Sequence, residues 1–157
     1  MKKEEKTNVM RVLEQKKLPY KSHSYEPDAS MSGAEIAALL GEDPDKVFKT
    51  LVTRGKSGQH YVFVVPVGEE LELKKAAAAS GEKSIALIPQ KELLPLTGYV
   101  HGGCSPIGMK KPFPTFVHKT AREFDTMFVS AGKVGFQIEL APSDLEAAAG
   151  CVFSDIV

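Results

Sequence analysis

A chain of 157 residues, 43% hydrophobic and 25% charged, has material for one compact domain, 1–157, and none for a second. Its 20 basic and 20 acidic side chains cancel, so any nucleic-acid binding would need a local patch rather than a bulk cationic surface. The charged start M-K-K-E-E-K leads into no apolar stretch, and no run approaches the roughly 20 apolar residues that span a bilayer. Cys104 and Cys151 give neither a disulfide framework nor a zinc-ligand spacing. The reading is a cytoplasmic protein with no membrane partner.

Thr7 is placed to cap a first helix whose stripe is Val9, Val12 and Leu13, with Pro19 helping to stop it. Residues 21–25 alternate as a short strand, with His23 and Tyr25 on one face. Ser32 to Glu35 has the S-x-x-E form of a capping box, Ile36, Leu39 and Leu40 follow on one face, and Gly41 suits a left-handed C-cap. Asp43-Pro44-Asp45 reads as a short turn feeding the apolar run around Lys49. A hairpin turn at 55–58 leads into a strand at 61–65 that Pro66 ends or edges.

The alanine-rich stretch 73–80 closes at Gly81 as a helix, 84–88 is a β-branched strand, and 89–94 is a short helix opened by proline. Strands are expected at 116–119 and 126–130 around a polar segment, and the turn 131–135 joins the second of these to 136–140 as a hairpin. Ser143 to Glu146 repeats the capping-box pattern, Gly150 ends that helix, and Val152, Ile156 and Val157 form a last strand or packed tail. Strands arriving in runs, joined by tight turns, define an α+β protein in which antiparallel pairing dominates.

Residues 99–108, Y-V-H-G-G-C-S-P-I-G, stand out because glycines, a proline and a serine crowd one segment between apolar runs. Gly102 and Gly103 lack a Cβ and can take positive φ, so their N–H groups could approach a bound oxygen. Ser105 adds a hydroxyl and Pro106 fixes the next turn. Such dipeptides also mark ordinary turns. Lys49 lies in V-F-K-T-L-V, with Val47 and Leu51 on its face and Phe48 and Val52 on the other. An ammonium on an interior strand must find partners or lose its proton, unless it sits at a strand end and reaches water.

Other hydrolytic machinery is missing from the sequence: there is no H-E-x-x-H, no G-x-S-x-G and no G-x-x-x-x-G-K-[ST]. A Cys–His pair is conceivable from Cys104 with His101 or His118, but no acidic side chain lies nearby in sequence to orient either histidine.

F-K-T-L-V, followed about fifty residues on by G-Y-V-x-G-G-x-S-P-x-G, resembles the YbaK family of aminoacyl-tRNA deacylases, relatives of the prolyl-tRNA synthetase editing domain. Agreement continues through H-S-Y-E-P at 23–27, L-x-L-K-K-A at 71–76, K-K-P-x-P-T at 110–115 and V-S-A-G-K-x-G-x-x-I-E-L at 129–140, covering nearly the whole chain. The resemblance implies a mixed, mostly antiparallel, curved and partly barrel-like sheet flanked by helices, with the cleft between them.

It further implies hydrolysis of a mischarged aminoacyl-tRNA, above all Cys-tRNA(Pro), with the substrate's own thiol attacking its ester, a step classed as a lyase reaction if a cyclic thioester forms. Lys49, Gly102 and Gly103 would be the catalytic donors, while Tyr25, Thr50, Ser105, Pro106, Gly108, Ser130 and Gln137 would bind substrate. No metal and no cofactor is implied. The partners would be the 3′ acceptor end of a mischarged tRNA and, as a further candidate, prolyl-tRNA synthetase.

One departure is Gln137, where the family often has aspartate before I-E-L; glutamine keeps hydrogen bonding but offers no charge. Deacylation of alanine or another small amino acid therefore stays open, as does a non-catalytic RNA-binding or adaptor role.

Overall fold

A computed structural model of the chain describes residues 6–28 and 30–157; the charged start at 1–5 lies outside them. Two sheets organise the described residues. Strands β1 (Lys21–Ser24), β6 (Met127–Ser130) and β7 (Phe136–Leu140) pair in the order β1-β7-β6, and all their pairings are antiparallel. The second sheet has the order β4-β2-β3-β5-β8, from β2 (Phe48–Gly55), β3 (His60–Pro66), β4 (Ile85–Leu87), β5 (Thr115–His118) and β8 (Val152–Ser154). There β2 pairs antiparallel with β3 and β4, whereas β3/β5 and β5/β8 are parallel.

The α+β class and the antiparallel majority agree with the sequence. The expected curved, partly barrel-like sheet is two sheets that do not close, linked by an isolated parallel bridge between Val47 and Phe128.

The apolar run of β3 explains its central place. Val62 and Val64 face a core with Val9 and Leu13 of helix α1 (Asn8–Gln15) and Ile138 of β7, while Phe63 and Val65 face Ala76 of α3 (Leu73–Ser80) and Ile156. A strand covered on both faces need not alternate in polarity. Each such side chain contributes roughly 1.5–3 kcal/mol of burial.

Local signals act as their chemistry requires. Thr7 Oγ1 accepts from the Met10 N–H, and Ser32 and Glu35 close a reciprocal capping box at the start of α2 (Gly33–Leu40), which ends at a left-handed Gly41. Two readings need correction. The buried residue of α2 is Ala37, and Leu39 is exposed, so the face this helix turns to the body is centred on Ala37 and not on the leucines. In the helix Pro142–Ala149 the cap is Ala141, with no side-chain bond, and Ser143 lies inside the helix. Proline, with no N–H to satisfy, takes the first helical position and moves the start one residue upstream of the apparent box.

Candidate active site

A cavity of about 490 Å³ opens where the two sheets approach each other. Its wall takes Lys49 and Thr50 from β2, Ser130 from β6 and Gln137 from β7, together with Tyr25 just after β1 and Gly102 from the glycine loop. Sites of about this size hold small molecules and ligand termini.

The bridge from Val47 to Phe128 brings the start of β2 against β6, which is why strands distant in sequence share this wall. Lys49 is half-buried, and among the described residues its ammonium has no hydrogen-bond or ion-pair partner. Among the described residues the Thr50 hydroxyl oxygen is buried without a partner, as is Gln137 Oε1 on a side chain only 4% exposed. Tyr25 is held through its backbone, its N–H donating to Gly135 O at 2.9 Å. Ser130 Oγ accepts from the Gly132 N–H at 3.1 Å, which orients it at the head of the hairpin turn.

The glycine loop differs from the sequence expectation. The Gly103 N–H donates to Val100 O at 3.0 Å, closing a four-residue turn with Gly102 at φ 85°. His101 has no positive φ, so this is a type II turn, in which the third position demands glycine. The expectation of two glycine N–H donors free for a ligand is therefore corrected to one. The Gly102 N–H has no acceptor among the described residues, while that of Gly103 is committed and the residue is buried against the backbone of Lys133 and Val134.

Ser105, Pro106 and Gly108 also stand outside the wall. Ser105 is fully buried and its Oγ accepts from the Ile107 N–H at 3.3 Å. Pro106 is buried, and Gly108 lies against Asn8 and Tyr99. These residues shape the loop from behind.

Several cavity residues were not read from the sequence as site residues: Met31 and Ile36 at the start of α2, Leu93, and Phe136. Their signal is only that of apolar residues on an expected element, so nothing separated them from core.

The Cys–His alternative fails on geometry and on protonation. His118 is buried on β5 with Nδ1 accepting from the Ile156 N–H, outside the cavity wall. His101 and Cys104 both line the cavity, but burial pushes the Cys104 thiol up to about 12, Thr97 only partly opposing it. It is a thiol rather than a thiolate at neutral pH, and the thiol is the poor nucleophile.

The model of the aminoacyl-tRNA editing domain family matches residues 26–148, and the chain belongs to that family. It is 44% identical over 154 residues to a protein of Enterococcus faecalis named as a candidate Cys-tRNA(Pro)/Cys-tRNA(Cys) deacylase, EbsC, covering 98% of this chain and 94% of the relative. A stretch of 78 residues, half of this chain but 14% of the relative, is 31% identical to the proline–tRNA ligase of Pelobacter propionicus. A solved structure described as a candidate trans-editing enzyme for prolyl tRNA synthetase superposes with a TM-score of 0.82 at 25% identity, covering 94% of this chain and 93% of that one.

Among the described residues no helix is long and apolar enough to cross a membrane.

Proposed function

We propose that this chain removes cysteine from wrongly charged tRNA, with the cysteinyl ester of proline tRNA as its first substrate, and that the substrate's thiol is the nucleophile. The observation that carries the reading is a cavity wall offering donors without a protein nucleophile: the unpaired Lys49 ammonium and the Gly102 N–H, beside a Cys104 held as its thiol. Ester cleavage needs stabilisation of charge growing on the carbonyl oxygen, and fixed donors in a water-poor site supply it.

In this scheme the substrate sulfur, after losing its proton to water, forms a C–S bond to its own carbonyl carbon. The ester C–O bond breaks, the departing 3′-oxygen takes up a proton, and water then opens the cyclic thioester to free cysteine. Lys49 and the Gly102 N–H face the carbonyl oxygen, Thr50 and Tyr25 hold the terminal ribose, and Ser130 and Gln137 hold the amino acid. The name of the E. faecalis relative and the partial match to a proline–tRNA ligase support the choice of cysteine and proline tRNA. Selection of the tRNA body falls to a partner, for which prolyl-tRNA synthetase is the candidate.

The test is deacylation of cysteinyl-, seryl- and alanyl-tRNA under one set of conditions. A thiol of ordinary pKa near 8.5 is partly ionised at neutral pH, whereas the serine hydroxyl is not and the alanine methyl cannot attack. Cysteine should be released at least about tenfold faster than either. Equal rates on all three would remove the thiol step, and a trapped cyclic thioester would be direct support.

A further inference from the structure

Glu42 is a half-buried residue with an ionisable group that the deacylation scheme leaves unused. It follows the C-cap Gly41 of α2, and its N–H donates to Ala37 O at 2.9 Å. Among the described residues both carboxyl oxygens are buried without a close hydrogen bond, and so is Oε1 of Gln137, the side chain that faces Glu42 from β7 and lines the cavity. Burial raises the Glu42 pKa above its ordinary 4.5; the Gln137 amide and His23 of β1 partly offset this, and Glu139 of β7 adds to it.

Glu139 is already engaged. It accepts from Thr126 Oγ1 at 2.6 Å and lies 3.0 Å from His23 Nε2, and its pKa is lowered, first by Thr126. The nearby Lys46 ammonium lies over the Phe128 ring at 5.8 Å. That leaves Glu42 as the carboxyl of this cluster with no hydroxyl or cation on it, only the Gln137 amide facing it.

A set of buried acceptors without donors is costly, since each forgoes its bonds to water. Here, among the described residues, Gln137 Oε1 has no donor and the two Glu42 oxygens have only the Gln137 amide facing them without a close hydrogen bond, all against the cavity wall. What relieves it is a cationic group with several N–H donors. Resting on the deacylase reading, we propose that Gln137 and Glu42 form the subsite for the α-ammonium of the bound amino acid, with Gln137 touching it and Glu42 acting as a positioning residue behind. An ionised Glu42 draws the Nε2–H₂ end of the amide toward itself, so Oε1 turns to the cavity and accepts from the ammonium. The negative charge that Gln137 lacks then comes from Glu42, one layer further back.

Two non-hydrolysable probes test this: 3′-cysteinylamino-3′-deoxyadenosine with its amine free, and the same compound N-acetylated. Calorimetry near pH 6.5 should show the full-length protein binding the free-amine probe about tenfold or more tightly over the acetylated one. Glu42→Gln, which keeps shape and removes charge, should cut that preference at least about fivefold while leaving the acetylated probe unaffected. Without any variant, the preference should also shrink as pH falls through the raised Glu42 pKa. A preference that Glu42→Gln retains, or that stays flat with pH, overturns the proposal. Wild-type protein that prefers the free-amine probe yet fails to hydrolyse cysteinyl-tRNA would overturn the deacylase reading and leave the subsite standing.

Discussion

Lys49 is tolerated on an apolar strand because β2 lines a cavity at its start, where the ammonium meets space instead of packed side chains. Replacing it by alanine removes a half-buried charge with no partner among the described residues, so stability should stay within about 1 kcal/mol of wild type. Cysteinyl-tRNA turnover should fall about a hundredfold or more, the usual loss of one fixed donor to a developing oxyanion. Lys49→Arg should rescue poorly, because its planar donors cannot reproduce a compact ammonium. Thermal midpoints and single-turnover rates decide it, and a folded Lys49→Ala protein with near-normal turnover would move the site elsewhere. Lys49 was legible because a lone cation breaks an apolar pattern. Glu42 was not, since an acidic residue beside a helix-ending glycine looks like solvated surface until β7 is brought against it. Ser105, Pro106 and Gly108 fall outside the cavity wall because a motif contiguous in sequence reads as one wall, whereas the folded loop buries Ser105 and Pro106 and sets Gly108 against Asn8 and Tyr99.

The glycine loop and the β6–β7 turn hold each other, and this dependence is written in their glycines. Gly132 has φ 93°, and a Cβ there would lie 2.9 Å from Val9 Cγ2 and 3.0 Å from Tyr99 Cε1, so the turn is clamped onto α1 and onto the first residue of the loop. Gly41 also has positive φ, 67°, but nothing within 4 Å of its would-be Cβ. Gly41→Ala should therefore cost only backbone strain, about 1 kcal/mol. Gly132→Ala should cost that and the displacement of two core side chains, about 2–4 kcal/mol in all. Urea unfolding of both variants separates the two effects, and equal losses would show that the clamp carries no load. The turn at 131–135 was legible from its glycines. Its packing partner was not, because no local pattern reports which distant element fills the space a missing side chain leaves.

At the scale of the molecule, the strand order β4-β2-β3-β5-β8 puts the C-terminal strand on an edge, and the tail beyond it is fastened by few groups. His118 on β5 is 4% exposed, and its Nδ1 accepts from the Ile156 N–H at 3.3 Å. Lys75 of α3 pairs with Asp155 at 3.2 Å and donates to Val157 O. The sequence indicated a last strand or tail but not this fastening, which depends on parallel pairing between β5 and β8 across more than thirty intervening residues.

Burial is the main cause that lowers the His118 pKa below 6.5; Lys119 and Lys75 add to this, while Asp155 and Glu69 oppose it. The folded state thus favours neutral imidazole, the form whose Nδ1 can accept. Below pH 6.5 the unfolded chain binds the proton first, so stability from His118 is fully present above that pH and lost as pH falls toward the folded value. His60 shifts in the same direction, again chiefly through burial, whereas Glu42 has the opposite sign: its penalty is relieved as pH falls through its raised value. The urea midpoint should therefore drop between about pH 7.5 and about pH 5.5. His118→Asn keeps an acceptor for the Ile156 N–H but cannot titrate, so it should flatten that drop, with the remainder belonging to His60. An unchanged slope in His118→Asn would mean that the tail is held by Lys75 and Asp155 and that His118 only fills space.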